Sequence, residues 1–227
     1  MPTPVDCLIE AGGKRTFASA VAWPGWCRAG RDEDEALQAL WSYGERYARA
    51  MKASGVRFSA PRSSESFRVI ERVSGNATTD FGAPDGVYDA DDEPVPAREW
   101  TRARRVLEGC WAAFDGAAAA AEGIELLKGP RGGGRGLDAI VAHVVGAEAG
   151  YLRMLTGDTV KVDEADAWAD RVAERAALLE GLDRAKVGDL PERGPRGGKR
   201  WKPQRFLRRT AWHVLDHTWE LEDRATG

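Results

Sequence analysis

Histidine and cysteine are both scarce in this chain, with three of each in 227 residues. Cys7, Cys27 and Cys110 are an odd number with no C-x-x-C pair, which fits a reducing compartment better than a disulfide framework. None stands near a histidine in sequence, so Cys-His catalysis has no support. A large excess of either charge is also missing. Lys and Arg number 33 against 36 Asp and Glu, for a net charge of −3, so no global attraction to nucleic acid or to an acidic membrane is expected. Long apolar runs are absent: no stretch approaches the roughly 20 apolar residues that span a bilayer. The opening MPTPVDCLIEAGGKRTF lacks the apolar core of a signal peptide. These absences lead to the expectation of a cytoplasmic protein that does not associate with membranes. Two motif absences narrow the chemistry further. Without H-E-x-x-H a zincin protease is not expected, and KGPRGGGRG lacks the G-x-x-x-x-G-K-[ST] of a phosphate loop and follows no strand.

What the chain does have is enough apolar material for a core, 43% hydrophobic residues with nine tryptophans, in a length that suits one large domain or two small ones. The first part reads as a small α/β unit. VDCLIEA and RTFASAVAW carry β-favouring residues around the turn signal Gly12-Gly13-Lys14, which predicts a hairpin. Trp26-Cys27 extends its edge after the Pro24-Gly25 break. Asp32 or Asp34 caps a helix with an acidic first turn, whose apolar stripe is Ala36, Leu37, Leu40, Trp41, Tyr43 and Tyr47. SESFRVIERVSG then predicts a strand with Phe67, Val69 and Ile70 inward. The acidic, turn-rich run NATTDFGAPDGVYDADDEPVPA follows. The expected organisation is a ββαβ module over 1–78, a linker over 79–97 and a helical domain over 98–227.

From residue 98 onward everything periodic is helical. The first helix, over 97–122, buries Trp100, Val106, Leu107, Cys110, Trp111 and Phe114. The second, over 136–156, buries Ile140, Val144, Ala147, Tyr151 and Leu155, with His143 at the edge of that stripe. The third, over 163–182, is expected to bury Trp168, Val172, Ala176 and Leu179. The fourth, over 203–223, starts at Pro203, which the first helical turn tolerates, and aligns Phe206, Thr210, His213, His217 and Glu220. Four amphipathic helices are enough for a bundle, and facing helices of a bundle are where metal sites are built.

His213 and His217 stand four apart, so they lie on one face of a helix. His143 comes from a different helix. Three neutral imidazoles make a ligand set for Zn²⁺, Ni²⁺ or Fe²⁺ that leaves a coordination position open. A histidine on an apolar helix face is more often a hydrogen-bonded core residue than a ligand. A third histidine on a separate helix, with none elsewhere in the chain, shifts the balance toward a metal. A ligand histidine needs its other ring nitrogen held by an acceptor, and Asp216 and Glu220 are the nearby candidates for that role or for a general base. Glu220 has a second potential partner in Arg224, four residues on.

Two resemblances follow from these residues. The order β-β-α-β, with WPGWCRAGRDEDEAL at the junction of strand and helix, resembles HicB-type antitoxin domains, which implies an interaction or ligand-sensing module. Residues 98–227 resemble the DinB/YfiT superfamily, on DAIVAHVVGAE, on RRTAWHVLDHTWE and on one histidine in helix two with an H-x-x-x-H pair in helix four. That superfamily includes mycothiol-dependent maleylpyruvate isomerases and bacillithiol transferases. The resemblance implies an α+β chain whose second part is a four-helix bundle, with His143, His213 and His217 as metal ligands. It also implies a small-molecule substrate and a low-molecular-weight thiol such as mycothiol, acted on in an S-transfer or isomerisation. The amino-terminal module is a departure from the common single-domain pattern.

An anionic thiol would need basic groups. Arg193, Arg196, Lys199, Arg200, Lys202, Arg205, Arg208 and Arg209 crowd the approach to helix four, and Arg196, Arg205 and Arg209 are the candidates for binding the cofactor. The bland reading of this run is a solvated loop. A nucleic-acid surface with Trp201 and Phe206 interleaved is disfavoured by the net charge and by the place of Phe206 in the helix core. The rival function is a metal- or ligand-sensing protein without turnover, and either reading leaves room for a homodimer.

Overall fold

The computed structural model describes residues 4–93, 95–129, 134–194 and 197–225. The protein is α+β, with a four-stranded mixed sheet in its amino-terminal part followed by helices. The chain forms two compact units. One comprises Met1–Ala112 and Leu207–Trp212, the other Ala113–Phe206 and His213–Gly227. Among the described residues no helix is long and apolar enough to cross a membrane.

In the first unit, β1 (Val5–Ala11), β2 (Thr16–Ala20), β3 (Cys27–Gly30) and β4 (Phe67–Ser74) form a sheet in the order β3-β2-β1-β4. β1 and β2 are the expected hairpin, antiparallel with Ile9 opposite Ala18, and Gly12 N–H donates to the Arg15 carbonyl at 2.8 Å across the turn. The edge at Cys27 is a separate strand, antiparallel to β2. β4 lies parallel to β1, so the chain must cross over between β3 and β4. α1 (Glu33–Ser42) and α2 (Gly44–Met51) fall in that stretch. Asp32 caps α1 by accepting from Glu35 N–H at 2.9 Å. The single helix expected here is two, which meet at Tyr43 (φ −87°, ψ 0°). Gly30 lets α1 approach the sheet, since a Cβ there would lie 2.3 Å from the Ala36 nitrogen.

Aromatic packing fills this unit. Trp26 stacks on Tyr47 at 5.8 Å, Phe58 meets both edge-on, and each polar tip is satisfied: Trp26 Nε1 donates to the Leu40 carbonyl and Tyr47 Oη to that of Pro24. Phe67 and Val69 of β4 are half-buried as expected, but Ile70 is 46% exposed. Half-buried and exposed residues alternate strictly along β4, so Ile70, one residue after Val69, falls on the opposite, exposed face; the pairing with β1 jumps here from Cys7–Val69 to Leu8–Glu71. In the stretch that follows, Asn76 caps α3 (Ala77–Phe81) with a reciprocal Thr79 contact. Residues 79–91 bond to the sheet through two buried or half-buried carboxylates. Glu10 accepts from Thr79 Oγ1 and from the amides of Asp85 and Gly86, and Glu71 accepts from those of Asp89 and Ala90.

α4 (Ala97–Ala120) and α7 (Pro203–Ala225) run through both units. The segment of α7 in the first unit contributes Trp212, which packs on Phe17 and Cys27, and Arg208, whose guanidinium pairs with the buried Asp91.

In the second unit α5 (Leu137–Leu155) packs on α6 (Ala167–Lys186). α5 buries Ile140, Val141, Val144, Val145, Glu148, Leu152 and Leu155. α6 begins and ends four residues later than the sequence predicts, and the face it buries is different. Ala167, Glu174, Leu178, Gly181 and Leu182 are inside, whereas Val172 is 66% and Trp168 38% exposed. The true face carries charge: Arg171 and Arg175 reach Asp115 of α4, at 3.4 and 2.9 Å.

Candidate metal centre

The second unit contains all three histidines. α5 supplies His143 from a half-buried position, and α7 supplies the buried His213 and, one turn on, the half-buried His217. α7 holds them firmly because it is buried on most sides: Val214, Leu215, Thr218, Trp219 and Leu221 are all inside.

One ring nitrogen from each histidine falls in a group whose members all lie within 4.8 Å of one another. His213 Nε2 and His143 Nε2 are 3.2 Å apart. Two nitrogens each bound at ~2.0–2.1 Å to a tetrahedral ion would be about 3.3 Å apart, so this separation already suits a shared ion. The ring centroids are 4.7–5.0 Å apart with planes at 64–84°. The rings thus meet edge to face and their nitrogens converge. The donor set fits a divalent transition ion: three imidazoles and no carboxylate in the group.

The states of His143 and His217 follow from their surroundings. Burial, then the charges of His217 and Arg135, push His143 down to about 4, with Glu220 alone acting the other way. His143 is therefore neutral at neutral pH and keeps a lone pair for a ligand bond. Glu220 is held down to about 2, chiefly by the hydrogen bond from His217 and also by Arg224, against the effect of its burial. An ionised carboxylate can only accept. His217 Nδ1, 2.7 Å from Glu220 Oε2, must therefore carry the proton, which leaves Nε2 as the nitrogen available to an ion. Glu220 Oε1 accepts in turn from Arg224 Nη1 at 2.7 Å. Both partners that the sequence offers Glu220 are engaged at once.

The other expected residues are placed as follows. Asp216 lies on the same helix, but the hydrogen bond to His217 belongs to Glu220. Arg205 lies over the ring of Trp201 at 4.6 Å, Trp201 stacks on Tyr151 at 5.4 Å, and Tyr151 meets His213 edge-on at 5.7 Å. This ladder links Arg205 to the histidines. Arg209 is not brought to them: its Nη1 donates to the Pro84 carbonyl at 2.6 Å in the first unit, and it covers Trp212. Arg196 lies outside the described residues. Elsewhere in the basic run, Arg193 donates to the Gly197 carbonyl and Arg200 to that of Arg153. Sequence reasoning misses the Tyr151–Trp201 stack and the reach of Arg224. Aromatic residues next to the histidine stripe are the available signal for the first, and the i,i+4 spacing from Glu220 is the signal for part of the second.

Comparison of the chain with protein-family models, with curated proteins and with solved structures finds no match to any of them.

Proposed function

We propose that this protein is a divalent-metal-dependent enzyme of the DinB kind, with its helical part as a four-helix bundle, that acts on a small molecule with the help of a low-molecular-weight thiol such as mycothiol. The observation that carries this reading is the convergence of three ring nitrogens within 4.8 Å, one of them oriented by a carboxylate. His143, His213 and His217 would hold Zn²⁺, Ni²⁺ or Fe²⁺. When bound, the ion supplies an open position at which a thiol loses its proton more readily and becomes a nucleophile. Glu220 keeps the His217 tautomer correct. Its low pKa suits it to that role and makes it a poor proton acceptor near neutral pH. Tyr151 and Trp201 form a flat apolar wall beside His213, and Arg205 at the end of that wall offers a guanidinium to the acid groups of an anionic thiol or substrate. The reaction class is S-transfer or isomerisation.

The test is a titration of the Co²⁺-loaded protein with mercaptoacetate and 2-mercaptoethanol, followed by the sulfur-to-cobalt charge-transfer absorption. The expected result is a saturable new band with both thiols that is absent from a His213→Ala/His217→Ala variant. If Co²⁺ binds and neither thiol produces the band, the thiol-dependent reading is wrong.

A further inference from the structure

The hydrogen-bond chain that begins at His217 does not stop at Glu220. Arg224 is 6% exposed, and its guanidinium is spread over three acceptors. Nη1 donates to Glu220 Oε1 at 2.7 Å, Nε to the Leu127 carbonyl at 2.7 Å, and Nη2 to the Arg135 carbonyl at 2.9 Å. The backbone of the same residue adds a fourth contact, because the Leu127 N–H donates to the Arg224 carbonyl at 2.9 Å. Gly134 lies so close that a Cβ there would be 2.3 Å from Arg224 Nη2. The chain on either side of residues 128–133 is thus fastened to one buried side chain of α7. Arg135 is the important end. Gly136 occupies the N-cap position of α5 and makes no side-chain capping bond, and α5 carries His143.

We propose that Arg224 is a positioning residue of the metal centre: it fixes the ring of His217 through Glu220 and, through the Arg135 carbonyl, sets the start of α5 and hence the place of His143 relative to His217. This inference rests on the metal-centre reading and adds to it the group that brings the two ligand-bearing helices into register. A guanidinium suits the task because its donors lie in a rigid planar fork that can address a carboxylate and two carbonyls at once. A lysine ammonium is a point charge on a flexible stem. It can keep the pairing with Glu220 but cannot span all three acceptors.

The test uses the full chain with Co²⁺ as the probe, in wild-type protein, Arg224→Met and Arg224→Lys. Three quantities are measured: Co²⁺ affinity, the visible ligand-field spectrum, and solvent exchange of the paramagnetically shifted Nδ1 proton of His217 by NMR. Removing the outer partner of a metal ligand typically weakens binding by about 10- to 100-fold. Arg224 acts one hydrogen bond further out, through Glu220, so we expect a loss at the lower end of that range, about 10-fold, in Arg224→Met, with an altered spectrum and faster exchange of the His217 proton, and a smaller loss in Arg224→Lys. A purely structural role would lower Tm while leaving affinity, spectrum and exchange unchanged, and that result overturns the proposal. Should Arg224→Met fail to fold, Arg224→Lys decides alone: wild-type affinity with a wild-type spectrum overturns it. Absence of Co²⁺ uptake by the wild-type chain removes the metal centre itself and this proposal with it. Normal uptake by every variant removes only the role of Arg224.

Discussion

Glu174 is fully buried on α6, with neither carboxyl oxygen hydrogen-bonded among the described residues. Burial first, and then the charge of Glu148 on the facing helix, raise its pKa well above the ordinary carboxylate range, with Arg175 opposing them. The folded protein therefore keeps a proton on Glu174 that the unfolded chain releases once pH exceeds the usual value of 4.5. Stability contributed by that proton is fully present below the unfolded pKa and is lost as pH rises toward the folded one. Glu174→Gln keeps the shape and removes the titration. The expected outcome is a variant with higher Tm than wild type at pH 8, a difference that narrows toward pH 5. Thermal melts across that range check it, and a constant difference would contradict the assignment. The same residue explains why the sequence misleads about α6. A face carrying Arg171, Glu174 and Arg175 looks like the solvent side of a helix, so the apolar period points to Trp168 and Val172 as the buried stripe instead. Pairing with Asp115 across to α4 is not visible in a one-helix pattern. The histidines are legible for the opposite reason. Their i,i+4 spacing and their neighbours' apolar period both report local geometry, and no other histidine competes.

At the scale of elements, the close packing of α5 on α6 depends on Gly181. A Cβ there would lie 2.8 Å from Thr156 Cγ2 and 3.0 Å from Leu152 Cδ1, both buried side chains. Two effects oppose each other in Gly181→Ala. Helix propensity favours alanine by up to about 1 kcal/mol, while overpacking a tight core costs about 1–3 kcal/mol. The contact distances favour the second. We expect a net destabilisation of roughly 1–2 kcal/mol, read from urea unfolding, and a stabilised variant would show that the helices can separate without cost. The elements of the first unit are legible in part. The hairpin and the Asp32 cap follow from local signals, turn glycines and an acidic first turn. The break at Tyr43, the register shift between Val69 and Glu71 and the parallel pairing of β4 with β1 depend on what each segment meets in space, which no local period encodes.

For the molecule as a whole, the division into units does not follow the sequence. Leu207–Trp212 belongs with the amino-terminal sheet, and His213 begins the part of α7 that belongs with the helices. One helix thus gives Arg208 and Trp212 to one core and two histidines to the other. Composition and linker signals mark breaks in the chain, not the packing of a helix that serves two cores. Both the proposed activity and the role of Arg224 rest on the three histidines forming a metal centre. The most direct measurement is elemental analysis of untagged protein purified beside a His213→Ala/His217→Ala variant, with circular dichroism to verify folding. About one divalent ion per chain is expected, lost in the folded variant. No ion after incubation with Zn²⁺, Ni²⁺ and Fe²⁺, or equal uptake by the variant, would contradict it.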